Sequence, residues 1–403
     1  MKYDPLEYPY SSRRMMKFAK NGMVATSQPL AAQAGLSILR KGGNAVDAAV
    51  ATAASLTVLE PASNGIGSDA FALVWSDGEL HGLNSSGPSP KSISVNELKD
   101  NGFEEMPRYG FEPVTVPGTP AAWFELSNEY GDLSFRELLQ PAISYAEEGF
   151  PVSPVLGKNW KKNYKIYSEL EGEEFNNWFD TFAPNGNPPE IGEIWRSSDH
   201  ADTLRSIGRS KSKSFYKGKL GDKIDEFSKE FDGYLSKKDL ESFKPQWVDP
   251  VKVNYRGFDV WELPPNGQGL VALMALNILK EFEFDCRNDL DTYHKQIEAL
   301  KLAFSDGKSH ITDPNYMEVS VDDLLSDDYA KRRKNLIEEK AINPSPGEPE
   351  EGETVYLATA DNDGNMVSYI QSNYTGFGSG LVVPNTGIAL QNRGNTFSLD
   401  PSD

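Results

Sequence analysis

Thr354 is the residue best placed to do chemistry. It follows an acidic, proline- and glycine-rich stretch (338–353, EEKAINPSPGEPEEGE) and opens an apolar run, Thr354-Val355-Tyr356-Leu357-Ala358-Thr359-Ala360. The first segment cannot bury enough surface to fold by itself; the second has the β-branched and aromatic content of a strand buried on both faces. A threonine hydroxyl is a poor nucleophile unaided. If the Glu353–Thr354 bond is cut, Thr354 gains an α-amine with a pKa near ~7.7–8.0, a base on the same residue as the hydroxyl. The uncut nitrogen is an amide without usable basicity, so the intact chain is expected to be inactive. The alternative is an ordinary loop with Thr354 as a strand-start residue.

Other candidates carry less. His81, His200, His294 and His310 lack any ligand spacing, and no metal or cofactor is expected from them. Asp361-Asn362-Asp363-Gly364 places its glycine too early for a calcium loop and reads as a turn. Gly376-Phe377-Gly378-Ser379-Gly380 lacks the strand-then-helix setting of a nucleotide loop. Lys331 to Lys334 reads as the solvated face of a helix. Cys286, the single cysteine, excludes an intrachain disulfide and is expected to be an inert core residue.

The elements that must position Thr354 are legible nearby. Asn362 to Asn365 is a hairpin turn, and Met366 to Gln371 is the partner strand. A further strand spans Leu381 to Val383. Upstream, Met23 to Thr26 reads as a strand, Ser27 as the cap of a helix with Pro29 at its start, and Gly42–Gly43 as its end. Asn44 caps an alanine-dense helix, Ala45 to Leu59, apolar nearly all round and so expected to be buried on a sheet. A turn at 64–68 leads into a strand, Ala70 to Trp75. Helices are expected at Phe135–Gly149, Gly267–Leu279 and Thr292–Ser305, the last stopped by Gly307; residues 155–235 show no clear period.

The bulk numbers narrow the function. The formal net charge of -20 over 403 residues repels phosphate backbones, which argues against nucleic-acid partners. No run of about 18 apolar residues is present, so no membrane-spanning helix is expected. Met1 to Lys20 lacks the apolar stretch of a secretory signal, and a cytoplasmic location is the resulting expectation.

Several blocks, in order, resemble γ-glutamyltranspeptidases: 24–71 (VATSQPLAAQAG…NGIGSDAF), 116–152 (VPGTPAAWFELS…GFPV), 264–279 (PPNGQGLVALMALNIL), 297–316 (IEALKLAFSDGKSHITDPNY) and 354–394 (TVYLATADNDGN…LQNRG). The resemblance implies an α+β N-terminal-nucleophile fold, a four-layer αββα sandwich. It implies self-cleavage before Thr354 into a large-subunit segment (1–353, ending in the linker 338–353) and the start of a small-subunit segment (354–403), intertwined in one unit. It also implies that this segment continues past Asp403, where a glycine pair would stabilise an oxyanion. The implied reaction is attack of Thr354 on a γ-glutamyl amide, as in glutathione, to give an acyl-enzyme that water or an amino acid resolves. Ser372 falls where the family places a hydroxyl beside the nucleophile. The implied partners are a small γ-glutamyl or related acyl amide and the chain's own cleaved subunit; a homo-oligomer is compatible.

Departures from the family pattern fall on its pocket. The arginine that grips the substrate carboxylate corresponds, on this reading, to Val95, which cannot replace a guanidinium. The family's asparagine two residues past Ser372 is Tyr374, its α-amine-binding acid falls on Thr396, and the preceding glutamine is Arg393. Retained nucleophile and altered pocket point to drifted specificity: loss of an acid and gain of Arg393 favour an acyl group with a carboxylate and no amine, such as a glutaryl-like chain. Arg393 as a structural ion-pair partner is the competing reading. Hydrolysis is expected over transfer. The alternatives for the whole chain are an acylase on glutaryl-like amides and an unprocessed, inactive homologue that acts as a binding protein.

Overall fold

The computed structural model of the chain describes residues 15–342 and 354–400. The linker from 343, including Glu353, lies outside the described residues. Six strands form one antiparallel sheet: β1 (Gly22–Thr26), β2 (Asp69–Ser76), β3 (Glu79–Ser85), β4 (Gln246–Val248), β5 (Val355–Asp361) and β6 (Met366–Ser372). Their order is β1-β5-β6-β2-β3-β4. The β5–β6 hairpin, last in sequence, is therefore inserted between strands from the first part of the chain. Three further sheets are two-stranded; one pairs Val382–Val383 with Ile388–Ala389.

Helices cover one face of the sheet. α1 (Pro29–Arg40) and α2 (Ala45–Leu59) pack on it with α3 (Thr119–Tyr130), and α4 (Phe135–Glu148) packs behind α2. Every residue of α2 is buried, as its composition requires. Asn44 caps it through the Val46 and Asp47 N–H groups, while the Asp47 carboxylate returns to the Asn44 N–H at 3.1 Å. Close approach of α1 to α2 depends on Gly35, where a Cβ would lie 2.3 Å from Thr52 Oγ1. The hairpin is fastened to α2 at both ends of the Ala45 peptide: Thr359 Oγ1 donates to its carbonyl at 2.7 Å, and its N–H donates to Asp361 Oδ2 at 2.9 Å.

Several expectations need correction. β5 is buried on one face only. Val355, Leu357 and Thr359 face the helices, whereas Tyr356 is 53% exposed on the opposite face with Ile370, Met366 and Trp75. The small Ala358 and Ala360 masked this alternation in the sequence. Gln28, not Ser27, caps α1 by accepting from Leu30 N–H at 2.7 Å; the Ser27 hydroxyl donates to Glu60 instead. The 290–310 helix runs through Gly307, which is a contact point under Val271 and not a stop. Val95 lies on a short helix, Val95–Asp100, and packs against the satellite cluster of Leu98, Met106, Tyr234 and Leu399. Cys286 is exposed. Residues 155–235 are largely helical: aromatic side chains that cluster around Phe377 (Trp160, Trp178 and Phe182, with Trp195 beside Trp160) obscure the period up to Trp195, whereas the helices Ser198–Ser210 and Lys219–Glu230 bury residues at three- and four-residue spacing (Leu204, Ile207; Leu220, Ile224, Phe227) that the expectation overlooked. Among the described residues no helix is long and apolar enough to cross a membrane.

Candidate active site

The sheet brings Thr354, Ser372 and Asp69 into one row across three neighbouring strands. Thr354 stands one residue before β5 and is exposed; its Oγ1 donates to Ser372 Oγ at 2.9 Å. Ser372 closes β6, and its cross-strand partner is Asp69, the first residue of β2. Alternation along each strand puts all three side chains on the face away from the helices. Ser372 Oγ also accepts from the Tyr374 N–H at 2.8 Å. Tyr374 has φ of 75°, a left-handed conformation costly for a residue with a Cβ, and such positions concentrate at functional sites.

Arg393 comes from a short 3₁₀ turn (Arg393–Thr396) and lies over this row. Its Nε donates to Asp69 Oδ2 at 2.7 Å and its Nη2 to Asp69 Oδ1 at 3.2 Å, a bidentate pair. Its guanidinium carbon sits 4.8 Å from the Tyr374 ring centroid. Asp69 is 2% exposed, while the Arg393 side chain retains 33% of its surface. Burial disfavours the charged guanidinium, but the Asp69 charge and hydrogen bonds outweigh it and raise the Arg393 pKa. Of the two readings of Arg393 open in the sequence, ion pairing is thus observed. Thr396 Oγ1 donates to the Arg393 carbonyl at 2.9 Å, which ties it to its own turn.

A buried polar frame fixes these residues from behind. Gln371 donates to the Ala53 carbonyl at 2.9 Å and to Asn64 Oδ1 at 2.6 Å, and its Oε1 accepts from Trp123 and Tyr369. Ser68 donates to Asn373 Oδ1 at 2.8 Å. Gly67 bridges to Leu390, so closely that a Cβ would lie 2.2 Å from the Ala389 carbonyl oxygen. The 64–69 loop, the end of β6 and the 388–393 segment are therefore one rigid unit. Among the described residues no three His, Cys, Asp or Glu side chains converge as a metal site.

The structure thus links Thr354, Ser372, Tyr374 and Arg393 through Asp69 and the row of strands, while the exposed Thr396 bonds only within its own turn. Glu353 lies outside the described residues. The residue the sequence reading missed is Asp69. Its only signal was a carboxylate immediately after the glycine-rich turn NGIGS, at the head of a strand expected to begin at Ala70.

The chain has relatives among known proteins. The family model for Gamma-glutamyltranspeptidase matches residues 31–403. The chain is 37% identical over 383 residues to the glutathione hydrolase-like YwrD proenzyme of Bacillus subtilis, covering 94% of this chain and 71% of that protein. It is 34% identical over 389 residues to the oxamate amidohydrolase proenzyme of Klebsiella pneumoniae, covering 94% and 72%. Among solved structures, cephalosporin acylase from Bacillus halodurans superimposes with a TM-score of 0.94 at 61% identity, covering 100% of this chain and 74% of that one.

Proposed function

Because the chain belongs to the gamma-glutamyltranspeptidase family and has the fold of its N-terminal-nucleophile amidohydrolases, we propose that Thr354 is its nucleophile, freed by cleavage of the Glu353–Thr354 bond. The observation that carries this is the 2.9 Å hydrogen bond between Thr354 and Ser372 at the solvent-facing end of the sheet. An exposed hydroxyl, aligned by a strand and a neighbouring hydroxyl, has a route for substrate and a fixed direction of attack.

Once Thr354 leads its fragment, its α-amine can take the proton from Oγ1 as that oxygen adds to the amide carbonyl. Collapse of the tetrahedral intermediate breaks the C–N bond, and the proton passes from the ammonium to the departing amine. The acyl group is left as an ester on Thr354. A water molecule then gives a proton to the same α-amine and attacks the ester, releasing the carboxylic acid and restoring the hydroxyl. Ser372 holds Oγ1 by accepting its hydrogen until that proton passes to the amine, and then turns its own hydroxyl to donate to Oγ1. Water is the resolving nucleophile in this reading; the relatives are a glutathione hydrolase-like protein, an amidohydrolase and an acylase, all named for hydrolytic or deacylating reactions. Those names also span different acyl groups, so the shared chemistry is amide cleavage and the acyl end is what varies.

The test is a denaturing gel with mass spectrometry of the fragments. Wild type should yield a fragment beginning at Thr354, and Thr354→Ala should remain one band and turn over no anilide. Cleavage elsewhere, or turnover by the Ala variant, would remove Thr354 from this role. A wild-type chain that stays intact and inactive would favour the binding-protein alternative. Release of free acid from an acyl anilide, unchanged by added dipeptide acceptor, would support hydrolysis over transfer.

A further inference from the structure

A pocket of about 310 Å³ opens where the edge strand β4 meets β3 and the end of α3. It lies on the helix-bearing side of the sheet: His81, in its lining, is the cross-strand partner of Val74, whose side chain is buried against the helices. Thr354, Ser372 and Asp69 occupy the other face. Three aromatic rings wall the pocket. Tyr130, the last residue of α3, is tilted 35° to the His81 ring at a centroid distance of 5.3 Å, and meets Trp247 of β4 at 5.5 Å and 75°. The rings are anchored: Asn44 Nδ2 donates to the Tyr130 carbonyl at 2.6 Å, and Trp247 Nε1 donates to Glu125 Oε1 at 3.0 Å. Tyr130 and Trp247 stand nearly perpendicular and make a corner, and Trp247 keeps 37% of its surface exposed.

The charge at this corner is unrelieved. Glu125 and Glu129 are four residues apart on one face of α3, a like-charge spacing that destabilises a helix. They stand toward its C-terminal end, where the helix dipole favours cations, and the last turn of α3 carries no base. Asp249, just past β4, adds a third carboxylate to the lining. Partial burial, together with the Glu129 and Glu79 charges, pushes the Tyr130 pKa up. Among the described residues no lysine or arginine pairs with Glu125, Glu129 or Asp249, and none stacks on the three rings. Carboxylates are common on a chain of net charge -20; these differ in facing a cavity with aromatic walls.

We propose that this pocket binds a guanidinium cation, carried by a free alkylguanidine or by an arginine side chain, with its flat face on the Tyr130 and Trp247 rings and its N–H edge on Glu129 and Asp249. A guanidinium combines a planar, weakly hydrated face that stacks on aromatic rings with a fork of donors that fits a carboxylate, whereas an ammonium is a strongly hydrated point charge. Glu125 and His81 are positioning residues: the first holds the Trp247 ring by its N–H, the second backs the Tyr130 ring. The volume is at the lower end for small-ligand pockets and suits one head group on a short stem. The bound charge offsets the Glu125–Glu129 repulsion and completes the C-terminal end of α3 with the cation its own sequence lacks.

This site stands whether or not Thr354 is the nucleophile, and it is tested on the full chain by titrating ethylguanidinium, tetramethylammonium and N-acetyl-arginine amide at low ionic strength, followed by calorimetry and ligand-observed NMR. Ethylguanidinium should saturate wild type in the millimolar range, and added salt should weaken it. Tetramethylammonium, which has no N–H to give, should bind at least about fivefold more weakly. Glu129→Gln and Asp249→Asn change exposed side chains and leave the fold alone; each should weaken ethylguanidinium roughly 3- to 10-fold, and Trp247→Leu by more than about tenfold. N-acetyl-arginine amide separates the two sources: affinity within about threefold of ethylguanidinium assigns the pocket to an arginine on a polypeptide, and a loss of more than about tenfold assigns it to a free alkylguanidine. Wild type that does not saturate with ethylguanidinium, variants that bind it like wild type, or equal affinity for tetramethylammonium overturns the proposal. Competition between ethylguanidinium and an acyl anilide would place the cation at the Thr354 row and overturn it as well.

Discussion

Replacing Ser372 by alanine isolates the contact on which the catalytic reading depends. The substitution deletes one hydroxyl that accepts from Thr354 Oγ1 at 2.9 Å and from the Tyr374 N–H at 2.8 Å. A net intramolecular hydrogen bond between neutral groups is worth about 0.5–1.5 kcal/mol. At about 1.4 kcal/mol per tenfold in rate, loss of the Thr354 contact predicts a roughly 2- to 13-fold fall in kcat, because it orients the attacking oxygen. Ser372 is 3% exposed, so water cannot readily replace the hydroxyl and the upper part of that range applies. Losing the acceptor of the Tyr374 N–H should cost a further ~1–3 kcal/mol of stability, since that peptide is held in a left-handed conformation. The assay is steady-state anilide hydrolysis together with the time course of the Thr354-led fragment. Ser372→Ala should process slowly but completely and retain measurable turnover. A variant as dead as Thr354→Ala would make Ser372 a reacting group and refute the assigned roles; wild-type rates in both assays would show that the contact orients nothing.

Three further outcomes are expected. Burial holds the His200 pKa down to about 4 against an ordinary 6.5, so below pH 6.5 the unfolded chain takes up a proton that the folded one refuses. Stability is then complete above about pH 6.5 and declines as pH falls toward 4, by up to ~3 kcal/mol, and urea titrations of His200→Gln should show a flatter dependence over that window; equal slopes would contradict it. Gly67→Ala should lower stability by about 1–3 kcal/mol and depress kcat/KM as well, because its Cβ must displace the Ala389 carbonyl and with it the 64–69 loop that ends on Asp69; unchanged melting and turnover would count against a rigid frame. Cys286 is exposed, ahead of the helix Leu290–His310, and has no contact with the row of site residues among those described, so maleimide should add once to the native protein without loss of activity; inactivation would point to a role that the geometry does not give it.

Much of the frame could be read from the chain. The Asn44 cap, the buried alanine-rich α2, the β5–β6 hairpin and the helix from 269 rest on local rules of capping, periodicity and turn chemistry, which involve neighbours a few residues apart. The helices Ser198–Ser210 and Lys219–Glu230 carry an apolar stripe that those rules do cover, whereas aromatic crowding around Phe377 obscured the period up to Trp195. In the same way, Gly307 signals a stop to a local reading but supplies clearance for Val271 in the folded chain.

For the site, sequence determined the kinds of groups available: a threonine at a strand start behind an acidic, proline-rich segment, a serine at the end of the partner strand, and an arginine where the resemblance led one to expect a neutral side chain. Tertiary structure alone decided what each is set against. Asp69 and Arg393 are 324 residues apart in the chain, and their pairing exists only because β6 is inserted beside β2 and the 388–393 segment locks onto Gly67. Sequence neighbours restrict one another through the backbone they share, whereas a bidentate charge pair depends on the relative placement of two distant backbones, which only the packed core fixes.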